Sequence, residues 1–274
     1  MGRPEGPGIV SRVGPYRPVR FESDIIARAD INAVITIIGV GHVFNIAEPV
    51  AFIIKQLWPD AVLVELDEVR YKIMTGEYKA AEPSEEQKKQ ISKLYRHTAE
   101  YQDGLSREYG SQTGAEMLIA VSSGKALGAE IGFIDKAAIN VLDEVWAEMP
   151  FWERRRYSWS MFVDRHRGKR KAEKTAAEFA RDSDAMIEDM RKKFPTLVRK
   201  LIDERNEHMA GRIAEYSSRK NNVVVVVGDA HVEGLIRLLG DREVRKIRLE
   251  TILDRSKMNA LRSDLWNRRP EDEG

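Results

Sequence analysis

Apolar positions along this chain fall into short unbroken runs with no in/out alternation. Ala33 to Ile38, Asp60 to Asp67 ("DAVLVELD"), Glu130 to Asp135 ("EIGFID") and the five valines Val223 to Val227 each read as a β run. Unbroken runs of this length imply burial on both faces, as in a parallel sheet covered by helices. Between them the spacing becomes helical. "IAEPVAFIIKQLW" from Ile46 fits a helix with Pro49 in its first turn, a helix starts near Arg70, and "GAEMLIAVSSGKALG" continues the pattern from Gly114. Ser84 to Gln87 ("SEEQ") is a capping box opening a polar helix toward Tyr109. From Lys136 to Lys220 the pattern is mostly helical; "VEGLIRLLG" then makes a short helix closed by Gly240, and "VRKIRLETI" alternates like an edge strand.

These elements predict an α/β fold with a central, largely parallel or mixed sheet flanked by helices. A helical insertion at 136–220 precedes the last core strands. The first two strands, joined through one helix, are expected to lie side by side. Residues 1–30 read as an arm, 31–255 as a single domain and 256–274 as a tail.

Two of the β runs end alike. "IIGVGHV" and "VVGDAHV" both place a glycine three residues before a histidine, giving Gly39/His42 and Gly228/His231. In open parallel sheets the carboxyl ends of the strands share one edge, where loops diverge and helix amino termini point into the gap. Each glycine would permit the turn, and each histidine would fall at the start of the next helix. Glu65, at the end of the second run, would join them. Two imidazoles and a carboxylate suit a divalent metal with an open position, which brings the pKa of bound water to about 7 and so supports hydrolysis. Asp67, two residues on, falls where a helix begins and reads as its cap.

Composition narrows the chemistry. The 45 Lys and Arg against 44 Asp and Glu give a net charge of +1 and no pull toward nucleic acid. Without cysteine there is neither a disulfide nor a thiolate ligand, so a metal must sit on His and carboxylate. No apolar run approaches the ~20 residues of a membrane span, and the start lacks a secretory signal, so a cytoplasmic protein is expected. Trp146, Phe151, Trp152, Tyr157, Trp159 and Phe162 are expected to pack helices or to make a homodimer contact, and the insertion to cover the cleft or pair with a second copy. The basic run His166 to Lys171 reads as solvated, and His97 and His166 carry no role.

In order and spacing these pieces resemble the TraB family, related to the Tiki metalloproteases, the GumN proteins and, more distantly, the erythromycin esterases and ChaN. The resemblance is carried by "IIGVGHV" from Ile37, "PDAVLVELDEVR" from Pro59 to Arg70, "GAEM" from Gly114, "IDK" from Ile134, "ERNEHMA" from Glu204 and "VVVVVGDAHVEGL". It implies a site built from Gly39/His42, Gly228/His231 and Glu65, with His42, His231 and Glu65 holding a divalent Mn, Co or Zn. It adds Arg70, Glu204 and Arg205 as catalytic candidates and Glu116, Asp135 and Asn206 as substrate-binding ones. By position alone the two arginines are solvated helix residues; the resemblance makes them groups that orient a carboxylate or stabilise an oxyanion. His208 would share a helix face with Glu204. The implied reaction is metal-dependent hydrolysis of a peptide. The alternative is a binding protein that sequesters a peptide or small ligand in the same cleft, or haem, as in the ChaN branch. This chain departs from the pattern in reading "GVGH" where Thr and Ala are usual, Lys136 where Arg is common, and Asp229 in place of a small residue.

Overall fold

The computed structural model describes residues 33–41, 44–78, 114–136, 144–166 and 169–267, with backbone alone for 161–173. The arm, the helix expected from Ser84, His97 and His42 lie outside the described residues.

Five strands, β1 (Val34–Val40), β2 (Ala61–Val64), β3 (Glu130–Phe133), β4 (Asn222–Gly228) and β5 (Val244–Ile247), form one sheet in the order β3-β2-β4-β1-β5. Every pairing is parallel. The expected neighbourhood of β1 and β2 is corrected: β4 lies between them and bonds to both. Its five valines explain that place, since a strand of apolar side chains on both faces gains most at the centre. Val224 and Val226 join the core on one face, while Val223, Val225 and Val227 join the core on the other. Each fully buried valine contributes roughly 1.5 kcal/mol or more.

The first face is covered by α1 (Ala47–Leu57), α3 (Ala115–Ala126), α10 (Leu249–Leu253) and α11 (Arg255–Asn267), through Val50, Ile53, Met117, Val121, Ile252 and Met258. The second is covered by α8 (Glu204–Ser217) and α9 (Val232–Leu239), through Met209, Ile213, Tyr216, Leu235 and Leu239. A short helix α2 (Glu68–Met74) follows β2, and Asp67 caps it by accepting the Arg70 amide at 2.9 Å.

Two further expectations change near the carboxyl end. The strand read in "VRKIRLETI" stops at Ile247, because the Leu249 amide donates to Asp229 Oδ1 at 2.8 Å and Leu249 and Ile252, three apart, turn their side chains into the core as a helix. Residues 256–267, read as tail, belong to α11, whose Met258 and Leu265 are buried against the same core.

The insertion comprises α4 (Phe151–His166), α5 (Lys169–Arg181), α6 (Ser183–Lys193), α7 (Pro195–Val198) and a π-helical turn, Arg199–Asp203, that runs into α8. It has a small core of Val145, Met149, Phe194 and Leu197, with Tyr157 edge-on to Phe194. The fully buried Glu153 closes it by accepting the amides of Thr196 and Leu197. Phe151, Trp152 and Trp159 stay exposed, so the aromatics divide between packing and surface.

Candidate functional site at the carboxyl edge

Parallel pairing aligns the two glycine motifs: Gly39 is opposite Val227 and Val40 opposite Gly228. After β4 the chain turns through a single 3-10 turn, Asp229–His231, into α9. Glu65 continues the ladder beyond β2, its amide donating to Val226 O at 3.0 Å. The edge thus gathers Glu65, Gly228 and His231 from two adjacent strands.

Glu65 is buried. Its Oε2 accepts the Gly228 amide at 2.6 Å, and its Oε1 lies 3.3 Å from His231 Nε2 and accepts from Arg205 Nη2. Gly228 has φ −54° and ψ 137°, which any residue adopts, so the turn itself does not require glycine. Space does: a Cβ there would lie 3.3 Å from Glu65 Oε2. Gly39 is tighter still, since its Cβ would meet Asp229 Oδ1 at 2.1 Å.

Arg205 links Glu65 to Asp135. Its Nε and Nη2 donate to Asp135 Oδ1 and Oδ2 at 2.9 Å each. Burial opposes the charge on Arg205, but the Glu65 and Asp135 carboxylates more than offset it and hold the guanidinium above its ordinary value. Arg70 stands outside this pair, Nη1 3.9 Å from Asp135 Oδ2. The adjacent Asn206 is buried and presents Oδ1 to His231 Nδ1 at 2.7 Å. An amide oxygen only accepts, so Nδ1 carries the proton. The Nε2 facing Glu65 then holds either a second proton, making an imidazolium, or a lone pair directed at a cation.

The remaining candidates divide. Glu116 is buried in the first turn of α3, which starts at this carboxyl edge and runs back to the Gly128 turn before β3. Glu204 is not brought to the group: it pairs with Arg199 and with Lys200 Nζ at 3.0 Å, in a cluster that includes Glu148. The π-helical turn ahead of it sets the phase, so that Arg205 and Asn206 face the edge and Glu204 does not. His208 is exposed on the rim, where it feels the charges of Lys136 and Asp135.

One group was missed in the sequence. Asp229, buried beside His231, accepts from Arg248 Nη2 and Ser183 Oγ at 2.8 Å each, and Arg248 also reaches Asp184 and Glu233. This ties the start of α6 to the second glycine motif. The only signal was the aspartate inside "GDAH"; nothing in the sequence marked its partners.

Among the described residues no set of three His, Cys, Asp or Glu side chains is arranged to hold a metal ion. Glu65 and His231 nonetheless fit one as a pair. They face each other, and a carbonyl oxygen on the far ring nitrogen is the usual support for a ligating histidine.

A wholly parallel sheet with acid, imidazole and guanidinium groups at its carboxyl edge defines an α/β protein of the edge-site class. The TraB/PrgY/gumN family matches residues 26–246, and the chain belongs to that family. It is 29% identical over 210 residues to the uncharacterized protein MJ1365 of Methanocaldococcus jannaschii, a match covering 75% of this chain and 53% of that protein. The matched region thus spans about half the length of that relative. No helix among the described residues is long and apolar enough to cross a membrane.

Proposed function

We propose that the chain is a metal-dependent hydrolase of the peptidase type, with Glu65 and His231, completed by His42, as the groups that would hold a divalent Mn, Co or Zn. The observation that carries this reading is the Asn206–His231–Glu65 arrangement, in which Nδ1 is committed to an amide oxygen and Nε2 confronts a carboxylate at 3.3 Å. A bound metal would supply an acidified water and polarise the scissile carbonyl.

The chain's own residues have distinct parts. Where Glu65 acts as base instead of ligand, its Oε1 takes the proton from water. Asn206 fixes the His231 ring. Asp135 holds Arg205 so that its fork stays aimed at Glu65.

A second reading, ligand binding without turnover, has one observation in its favour: Glu65 is already matched by Arg205 and the Gly228 amide. Titration of the purified chain with Mn, Co and Zn, followed by mass spectrometry of a random peptide pool with and without chelator, separates the two. The hydrolase reading expects stoichiometric metal and chelator-sensitive cleavage, both lost in Glu65→Gln. No metal uptake and no cleavage would sink it.

A further inference from the structure

Asp135 has more cations around it than its charge requires. Arg205 already meets both carboxylate oxygens at 2.9 Å, and Oδ1 also accepts the Lys136 amide at 2.8 Å. Arg70 stands 3.9 Å away with 42% of its side chain exposed, a distance and exposure at which an ion pair contributes little. Among the described residues the Lys136 ammonium meets no carboxylate, and Arg70 meets no other. Partial desolvation, with the Lys136 ammonium next, holds the His208 imidazole below its ordinary value, so Lys136 and His208 share this rim. The Arg70 backbone is anchored, because its amide is the one Asp67 caps. Two cations with unused donors therefore stand at the mouth of the site.

We propose that Arg70 and Lys136 receive a carboxylate of the substrate, so that the site acts on peptides carrying a free carboxyl terminus or an acidic side chain close to the bond cleaved. This rests on the hydrolytic reading above. The geometry suits it. Arg205 Nη2 touches both Glu65 Oε1 and Asp135 Oδ2, and Arg70 lies just beyond the latter. Three contacts in series bound the separation from Glu65, which places it within the reach of two to three extended residues at ~3.3–3.6 Å each. A guanidinium fork matches a carboxylate in two parallel bonds, and a lysine beside it adds charge without fixing geometry. The two buried acids do not repel such a ligand at full strength, because Arg205 lies between them.

The test uses the chelator-treated wild-type chain and three pools of random N-acetylated tetrapeptides. One ends in a free acid without acidic side chains, one is amidated with acidic side chains, and one is amidated and uncharged. Retention is read by mass spectrometry after rapid filtration. At least one carboxylate pool should be held about tenfold better than the uncharged pool, the worth of one charge-assisted contact. Which pool is held identifies the source of the carboxylate. Arg70→Met with Lys136→Met should erase the difference with the thermal transition unchanged; should that variant fail to fold, Lys136→Met alone, at a half-buried position, should reduce it. Equal retention of all pools, retention of none, or a difference that survives loss of both charges would overturn the proposal. Discrimination without cleavage under any metal would leave it standing while the peptidase reading fell, and cleavage without discrimination would do the reverse.

Discussion

Replacing Asn206 by Leu keeps the branched four-atom side-chain skeleton, with bulkier methyl ends, and removes the carbonyl oxygen that holds His231. In the wild-type chain both residues are buried, and the Oδ1 to Nδ1 distance is 2.7 Å. The variant leaves a buried ring N–H without a partner, which costs ~1–3 kcal/mol. At ~2–4 °C per kcal/mol for a chain of this size, the thermal midpoint should fall by several degrees. The ring also loses what fixes its tautomer, and loss of such support for a metal-binding histidine costs ~10–100-fold in affinity or turnover. Calorimetry reads the first effect, and metal titration with peptide cleavage reads the second. Gly234→Ala reaches the same group by another route. A Cβ at Gly234 would lie 2.2 Å from Asn206 Nδ2 and does not approach His231. Gly234 lies inside α9, where Gly to Ala ordinarily stabilises by ~1 kcal/mol, so the expected sign is reversed. An Asn206→Leu chain with wild-type midpoint and metal affinity, or a stabilised Gly234→Ala chain, would refute the reasoning.

Arg205→Met leaves Glu65 and Asp135 buried without the charge between them and should cost ~3–5 kcal/mol at neutral pH. Urea melts at pH 7 that show no deficit relative to wild type would contradict this. Glu130 responds to pH. Hydrogen bonds from Arg219 and Lys220 hold its carboxyl at about 2, so its contribution is present above its ordinary value of 4.5 and lost as pH falls through about 2. The group is 37% exposed, so that contribution is discounted to ~0.5 kcal/mol, and Glu130→Gln should differ from wild type at pH 6 and not at pH 2. Gly39→Ala should destabilise by ~1–3 kcal/mol through overlap with Asp229. Gly228→Ala should leave the melting midpoint nearly unchanged and impair the site, since its Cβ would press on Glu65 Oε2 at 3.3 Å; equal melting losses in the two variants would be wrong for this geometry.

Much of the sheet was legible because parallel strands write their burial locally: Val223 to Val227 and Ile35 to Ile38 are apolar at every position but Thr36, and all are buried. Strand order was not legible. The βα unit of β1 and α1 pointed to β2 as the neighbour of β1, and only the long-range pairing with β4 corrects it. Among site residues, Glu65 and Asp135 could be read from strand ends, whereas the phase of "ERN" could not. A regular helix turns 100° per residue, and nothing in "RKLID" announces the π-helical turn that directs Arg205 and Asn206 toward the edge and Glu204 to Arg199 and Lys200. The 256–267 segment looked like tail because its apolar residues are sparse; Met258 and Leu265, seven apart, suffice for one buried stripe.

Strand order also explains why both motifs begin with glycine. Across β2, β4 and β1, a carboxylate at the end of one strand leans over the glycine of the next: Glu65, after β2, over Gly228 of β4, and Asp229, after β4, over Gly39 of β1. A side chain at Gly39 would drive the Asp229 carboxylate away, and one at Gly228 would press on the Glu65 oxygen that accepts the Gly228 amide at 2.6 Å. The two steps differ in what the carboxylate does next. Asp229 is saturated by Arg248, Ser183 and the Leu249 amide, which commits it to joining α6 and α10 to the sheet. Glu65 keeps one oxygen toward His231. The same interlocking contact thus builds a structural anchor at one step and the Glu65–His231 pair at the other, and the charges that surround each carboxylate decide which.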